Sequence, residues 1–238
     1  MDSKQANYLP FEVISDMPSF SPDQVLYEDN HLIAINKRAG QLVQGDKTGD
    51  ACLADEIKAF LKDKYKKPGN VFCGVIHRLD RPTSGVVLFA KTSKALERMN
   101  AQFREKETDK SYLALVQGKL SNRDSLVHDL RKNEQKNKSF VVDSGRGKEA
   151  RLSYNPLRQF DAYTLIEVTL ETGRHHQIRC QMAHIGYPLR GDLKYGAKRS
   201  NEDGSICLHS AKLLFTHPIT KESMCIAAEL PKSSAWIQ

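Results

Sequence analysis

Residues 74–91 read GVIHRLDRPTSGVVLFAK. In them His77, Arg78, Asp80, Arg81, Thr83 and Ser84 crowd around Pro82 and Gly85, between the apolar Val75-Ile76 and the strand-like Val86-Val87-Leu88-Phe89. A turn so loaded with functional groups between two strands is a candidate site, because scaffolds carry chemistry on the loops they hold rigid. The same residues also fit a surface turn, with Asp80 capping backbone groups of Thr83 or Ser84 and with Arg78 and Arg81 solvated.

Working outward, Val25-Leu26-Tyr27 and Leu32-Ile33-Ala34-Ile35 flank the turn former Glu28-Asp29-Asn30-His31, the pattern of a β-hairpin. Leu53, Ile57, Phe60 and Leu61 recur at helical spacing ahead of Pro68-Gly69. Downstream, Ser93 caps an expected helix with Leu96, Met99 and Phe103 on one face. Strands are expected around Tyr112, Ala114 and Val116 and around Tyr163, Leu165, Glu167 and Thr169. From 121 to 151 the chain turns polar and basic, through Arg131, Lys132, Lys136, Lys138, Arg146 and Lys148, and reads as an extended excursion. Residues 175–185 read as a helix with Ile178, Met182 and Ile185 toward the core and Gly186 as its stop. Strands and helices mix without a βαβ rhythm or an internal repeat, so the expected class is α+β, a mixed and mostly antiparallel sheet flanked by helices and loops.

The 238 residues are 39% hydrophobic and 27% charged, ordinary for a globular protein with a substantial core, which excludes wholesale disorder and collagen-like repeats. Residues 1–24 hold three prolines and little periodicity and read as an arm, with a single domain over 25–238. No apolar run approaches the roughly 20 residues of a membrane span, and the first residues lack the basic head and apolar stretch of a signal peptide. The five cysteines are scattered without a C-x-x-C pair, pointing to reduced thiols and a cytoplasmic protein. Thirty-six Lys and Arg stand against 29 Asp and Glu, and a surplus of seven positive charges favours a polyanionic partner.

A second loaded stretch, LETGRHHQIRCQMAHIG, occupies 170–186. On a helix Arg179 lies four residues after His175 and three after His176, so these groups share a face. His176, Cys180 and His184 fall at i, i+4 and i+8, a spacing that suggests zinc, but eight residues rise about 12 Å. Two ligands of one zinc sit only about 4 Å apart. The expectation is therefore no metal.

Taken together, the two stretches resemble the RluA-type family of RNA pseudouridine synthases. The resemblance also runs through 25–40 (VLYEDNHLIAINKRAG), 110–118 (KSYLALVQG), 172–196 (TGRHHQIRCQMAHIGYPLRGDLKYG) and 208–220 (LHSAKLLFTHPIT), nearly the whole chain from Val25. Arg38 stands where the family usually has proline, His175 where it has threonine, and Cys180-Gln181 where valine-histidine is common. The resemblance implies a pseudouridine synthase catalytic fold and a cofactor-free isomerisation of a uridine in tRNA or ribosomal RNA. The N1–C1′ bond is cleaved, the uracil turns while bound, and C5 joins C1′. It places the catalytic carboxylate on Asp80, its arginine partner on Arg179 and the active-site tyrosine on Tyr112. It also puts Arg78 where a side chain enters the stack vacated by a flipped uridine. Arg81, Arg174 and His176 join it as expected RNA contacts, and the basic Arg131, Lys132, Lys136 and Lys138 as phosphate grips. The small RNA-binding domain that many members carry ahead of this region is not expected here, so target choice falls to the catalytic domain and its loops. A monomer is expected.

The alternative from another class is a silent RNA-binding module that kept the fold, but binding alone does not require Asp80, Tyr112 and Arg179 together. A kinase would need a glycine-rich loop and a D-F-G. A glycosidase would need a second carboxylate across the bond, and none stands out near the motifs.

Overall fold

The computed structural model describes residues 19–46 and 49–236; most of the expected N-terminal arm, 1–18, lies outside them. The fold takes up chain before Val25. Phe20 stacks edge-on against Phe60 and its N–H donates to Glu56, while Gln24, at the end of a 3-10 turn, is buried against Gln41.

Eleven strands form one continuous sheet: β1 (Val25–Glu28), β2 (Leu32–Lys37), β3 (Gly74–Val75), β4 (Ser84–Ala90), β5 (Asp109–Gln117), β6 (Asp124–Asn133), β7 (Lys138–Val142), β8 (Lys148–Gln159), β9 (Tyr163–Leu170), β10 (Leu208–Thr216) and β11 (Ser223–Ala227). The order is β1-β2-β4-β10-β5-β9-β8-β6-β7, with β3 beside β4 and β11 beside β10. Among the described residues the β4–β10 pair is parallel and the other strand pairs are antiparallel, as the α+β expectation requires. Three helices, α1 (Leu53–Lys64), α2 (Ser93–Glu105) and α3 (Gln177–His184), cover the sheet.

The core lies in three main blocks. On one face of β2 and β4, Ile33, Ile35, Val87 and Phe89 meet Leu53, Ile57 and Leu61 of α1. On the other face, Leu32, Ala34, Val86 and Leu88 meet Ala95 and Met99 of α2. Further along, Ala114, Val116, Leu152, Ile166 and Val168 of β5, β8 and β9 receive Ile178 and Met182 of α3. Leu79 packs against both the first and the third block, which pins the turn that follows it.

Three local expectations are corrected. The cap of α2 is Thr92, not Ser93: the Thr92 hydroxyl accepts from the Ala95 N–H at 3.2 Å. The polar segment 121–151 is ordered as β6, β7 and the start of β8; Leu126, Leu130 and Ala150 are buried while charged neighbours face solvent, so one face is enough to hold the strands. Finally, α3 begins at Gln177, because His176 takes a left-handed backbone (φ 53°) and His175 precedes the helix.

Candidate active site

Asp80 sits in the turn between β3 and β4, and that turn is braced from below. Lys37, at the end of β2, is fully buried and its ammonium donates to the carbonyls of Arg38 (3.1 Å), Arg81 (3.0 Å) and Thr83 (2.6 Å). Burial pushes its pKa down to about 7 against the pull of the Asp80 charge. The Thr83 N–H closes the turn on the Asp80 carbonyl, and the Ile206 N–H ties Pro82 to the segment just ahead of β10.

Across from this turn, the N-terminal end of α3 and the loop before it are lashed to β8 by Gln177. Its Oε1 accepts from Thr172 Oγ1 and the Arg174 N–H, and its Nε2 donates to the Arg151 carbonyl. Arg179 Nη1 then donates to Asp80 Oδ2 at 2.8 Å. The two-toothed side of this guanidinium is used elsewhere: Nε and Nη2 donate to Asp192 Oδ2 and Oδ1 at 2.7 and 2.9 Å. Burial alone would lower the Arg179 pKa, but Asp192 and Asp80 outweigh it and hold it above the ordinary value. Asp192 is thus a second carboxylate in the site that sequence reasoning missed, although it lies within the 172–196 stretch. Both its oxygens are engaged and it is 1% exposed, so it anchors the arginine.

His176 Nε2 lies 3.5 Å from the same Asp80 Oδ2, and its Nδ1 is 3.0 Å from the Tyr195 hydroxyl. Burial pushes its pKa down to about 3, with Asp80 opposing and Arg179 reinforcing, so the ring is neutral near pH 7. An anionic neighbour favours the tautomer with its proton on Nε2, leaving Nδ1 to accept from Tyr195. His175 does not share a helix face with Arg179. It stacks on His176 (centroids 3.8 Å apart) and turns to Ser139 Oγ and Asn137 Oδ1 at 2.9 and 3.1 Å, joining the β6–β7 hairpin to the site.

Tyr112, on β5, completes a cleft of about 120 Å³ lined by Arg78, Leu79, Asp80, Thr83, Arg174, His176 and Arg179 among others. Burial, opposed by the Ser210 hydroxyl and aided by the Asp80 charge, pushes the Tyr112 phenol up to about 12, so it stays protonated. A wider depression of about 480 Å³, over β6, β8 and β9, carries Arg123, Asp124 and Glu167 among hydroxyls and an amide, and among the described residues these charges form no ion pair with one another.

Of the residues expected to act, Asp80, Tyr112, Arg179, Arg78, Arg174 and His176 converge on the cleft. Arg81 does not; its guanidinium reaches Asp50 at 3.0 Å and the Gly40 carbonyl at 3.2 Å. Arg131, Lys132, Lys136 and Lys138 lie on or beside the β6–β7 hairpin, which reaches the residues of the site through His175 and Tyr195. Lys132 pairs with Glu134 at 2.6 Å, and Lys138 donates to the Lys194 carbonyl and sits over the Tyr195 ring.

Residues 31–184 match the family described as RNA pseudouridylate synthase. An uncharacterised RNA pseudouridine synthase of Bacillus subtilis is 34% identical over 214 residues, 89% of this chain and 70% of that protein. Ribosomal large subunit pseudouridine synthase C of Vibrio vulnificus is 36% identical over 87% of this chain and 66% of its own length. For tRNA pseudouridine synthase C of Haemophilus influenzae the figures are 35%, 87% and 92%. A solved human structure, RNA pseudouridylate synthase domain containing 4, shares the fold at a TM-score of 0.73 and 21% identity, over 88% of this chain and 89% of that one. Family match, relatives and fold agree, and the chain belongs to the RluA-type RNA pseudouridine synthases, isomerases that convert uridine in RNA to pseudouridine.

Proposed function

We propose that this protein isomerises a specific uridine of tRNA or ribosomal RNA with Asp80 as its catalytic carboxylate, acting on a nucleotide flipped out of its stack. The observation that carries the assignment is the unequal use of the two Asp80 oxygens. Oδ2 is held by Arg179 and faced by His176, while Oδ1 has no hydrogen bond among the described residues. One oxygen fixes the carboxylate and the other is available to the nucleotide.

In this reading Tyr112 lies against the uracil, and Arg78 fills the stack that the nucleotide leaves. The Arg78 side chain is exposed at the rim, and a planar guanidinium stacks on bases while contacting phosphate. Extrusion costs a few kcal/mol of stacking and pairing, which such an insertion offsets in part. The overall change conserves atoms: N1–C1′ breaks, C5–C1′ forms, C5 loses a proton and N1 gains one. The catalytic unit spans one domain, read as a cytoplasmic monomer.

The test is to map pseudouridines in RNA from cells with and without the gene, then assay the identified transcript in vitro. Asp80→Asn keeps the shape but removes the charge. It is expected to abolish product while leaving RNA affinity within a few-fold of wild type; turnover near wild type refutes the assignment.

A further inference from the structure

At the rim of the cleft stands a cation that the chemistry above leaves unused. Lys110 lies two residues before Tyr112 on β5 and so on the same face of the strand. Its Nζ is 3.9 Å from the place a Cβ would occupy at Gly173, a lining residue of the cleft. The ammonium sits over the Phe103 ring, 5.6 Å from its centroid, and among the described residues it makes no hydrogen bond and no ion pair. Burial lowers its pKa, and the charge of Asp109, its neighbour on the other face of the strand, opposes that only in part. The other cations at the rim differ: Arg78 is exposed, and Arg174 commits its Nε to the Glu149 carbonyl at 2.8 Å.

A partly desolvated ammonium without an acceptor is unfavourable, and the imbalance is relieved when an anion arrives. RNA brings one phosphodiester per nucleotide. We propose that Lys110 is the phosphate anchor of the reacting nucleotide, donating to a non-bridging oxygen of a phosphodiester that adjoins the target uridine. The inference rests on the cleft being the uridine site. The Phe103 ring backs the ammonium, and the missing side chain at Gly173 keeps the approach open.

The test pairs a residue change with a phosphate change. Lys110→Met keeps an unbranched side chain of similar length and removes the charge. Its KM and Kd for the target transcript are expected to rise about tenfold with kcat nearly unchanged, the loss typical of one charged hydrogen bond. The slope of log K against log salt should fall by about 0.7. Lys110→Arg should recover most of the affinity. Replacing the phosphodiester 5′ or 3′ of the target by a neutral methylphosphonate should, at one of the two positions, weaken wild type as much as Lys110→Met does. The same replacement should cost Lys110→Met nothing further. Additive losses at both positions, or a fall in kcat with Kd unchanged, overturn the proposal. The affinity measurements need no turnover, so they read Lys110 separately from the Asp80→Asn assay.

Discussion

At Asp80 one oxygen is restrained by two neighbours of different character, a permanently charged guanidinium and an imidazole kept neutral by burial. The second has a measurable consequence. The folded pKa of His176, about 3, lies below its ordinary value of 6.5. Between those limits the unfolded chain binds more protons than the folded one, so stability rises with pH across that window and is lost as pH falls from 6.5 toward 3. The contribution is a few kcal/mol at most. Urea unfolding of wild type and His176→Gln from pH 7 to pH 4 should show a shallower acid loss in the variant, and parallel curves would mean that the imidazole is protonated in the fold. Asp192 does for Arg179 what Arg179 does for Asp80. Removing one partner of such a buried pair typically costs about 3–5 kcal/mol, because the other charge is stranded.

Among the elements, the β4–β10 contact decides whether the Asp80 turn has a floor. Gly85 takes φ +111°, and a Cβ there would lie 2.3 Å from the Ser210 carbonyl oxygen and 2.5 Å from its nitrogen, backbone atoms that cannot swing aside. Gly85→Ala should therefore destabilise by about 3 kcal/mol or more through combined overpacking and backbone strain, read as a fall in melting temperature with activity lost alongside. A change below about 0.5 kcal/mol would show that β4 and β10 can separate cheaply. This scale also shows what the sequence makes legible. The β1–β2 turn, α1, the buried face of α2 and the core residues of α3 follow from periodicity and turn chemistry, since each is a local pattern. Adjacent Thr92 and Ser93 offer equivalent hydroxyls, so the chain alone does not choose the cap. The strands β6 and β7 are hidden because their apolar residues alternate with charges at the sheet edge. In the site, Asp80, Tyr112 and Arg179 are reached through resemblance to a family. Lys37, Asp192 and Tyr195 escape because a buried lysine runs against composition rules, and the arginine's main partner is 13 residues away with no periodic relation to it.

Over the whole molecule, the surplus of seven positive charges is not evenly available to RNA. On the β6–β7 hairpin, Lys132 is neutralised by Glu134 and Lys138 is held against Lys194 and Tyr195, whereas Arg131 and Lys136 are exposed and make no ion pair among the described residues. Arg131→Gln with Lys136→Gln should lower the salt slope of RNA binding by about 1.4, twice the single-strand value per phosphate, and Lys132→Gln should change it less. An unchanged slope in the double variant would leave the hairpin as a solvated edge. The parallel pairing of β4 with β10 carries a different kind of consequence. Ser84 and His209, side by side at 2.9 Å, are 125 residues apart in the chain, and Asp80 and Arg179 are 99 apart. A nascent chain that has emerged through α3 holds both members of the Asp80–Arg179 ion pair but lacks the strand that joins their two halves of the sheet. Closing such long loops is slow, and it precedes any reward from the contacts they make. The cleft therefore waits for β10: until that strand is made, nothing in the sheet fixes the Asp80 turn of β4 against Tyr112 on β5.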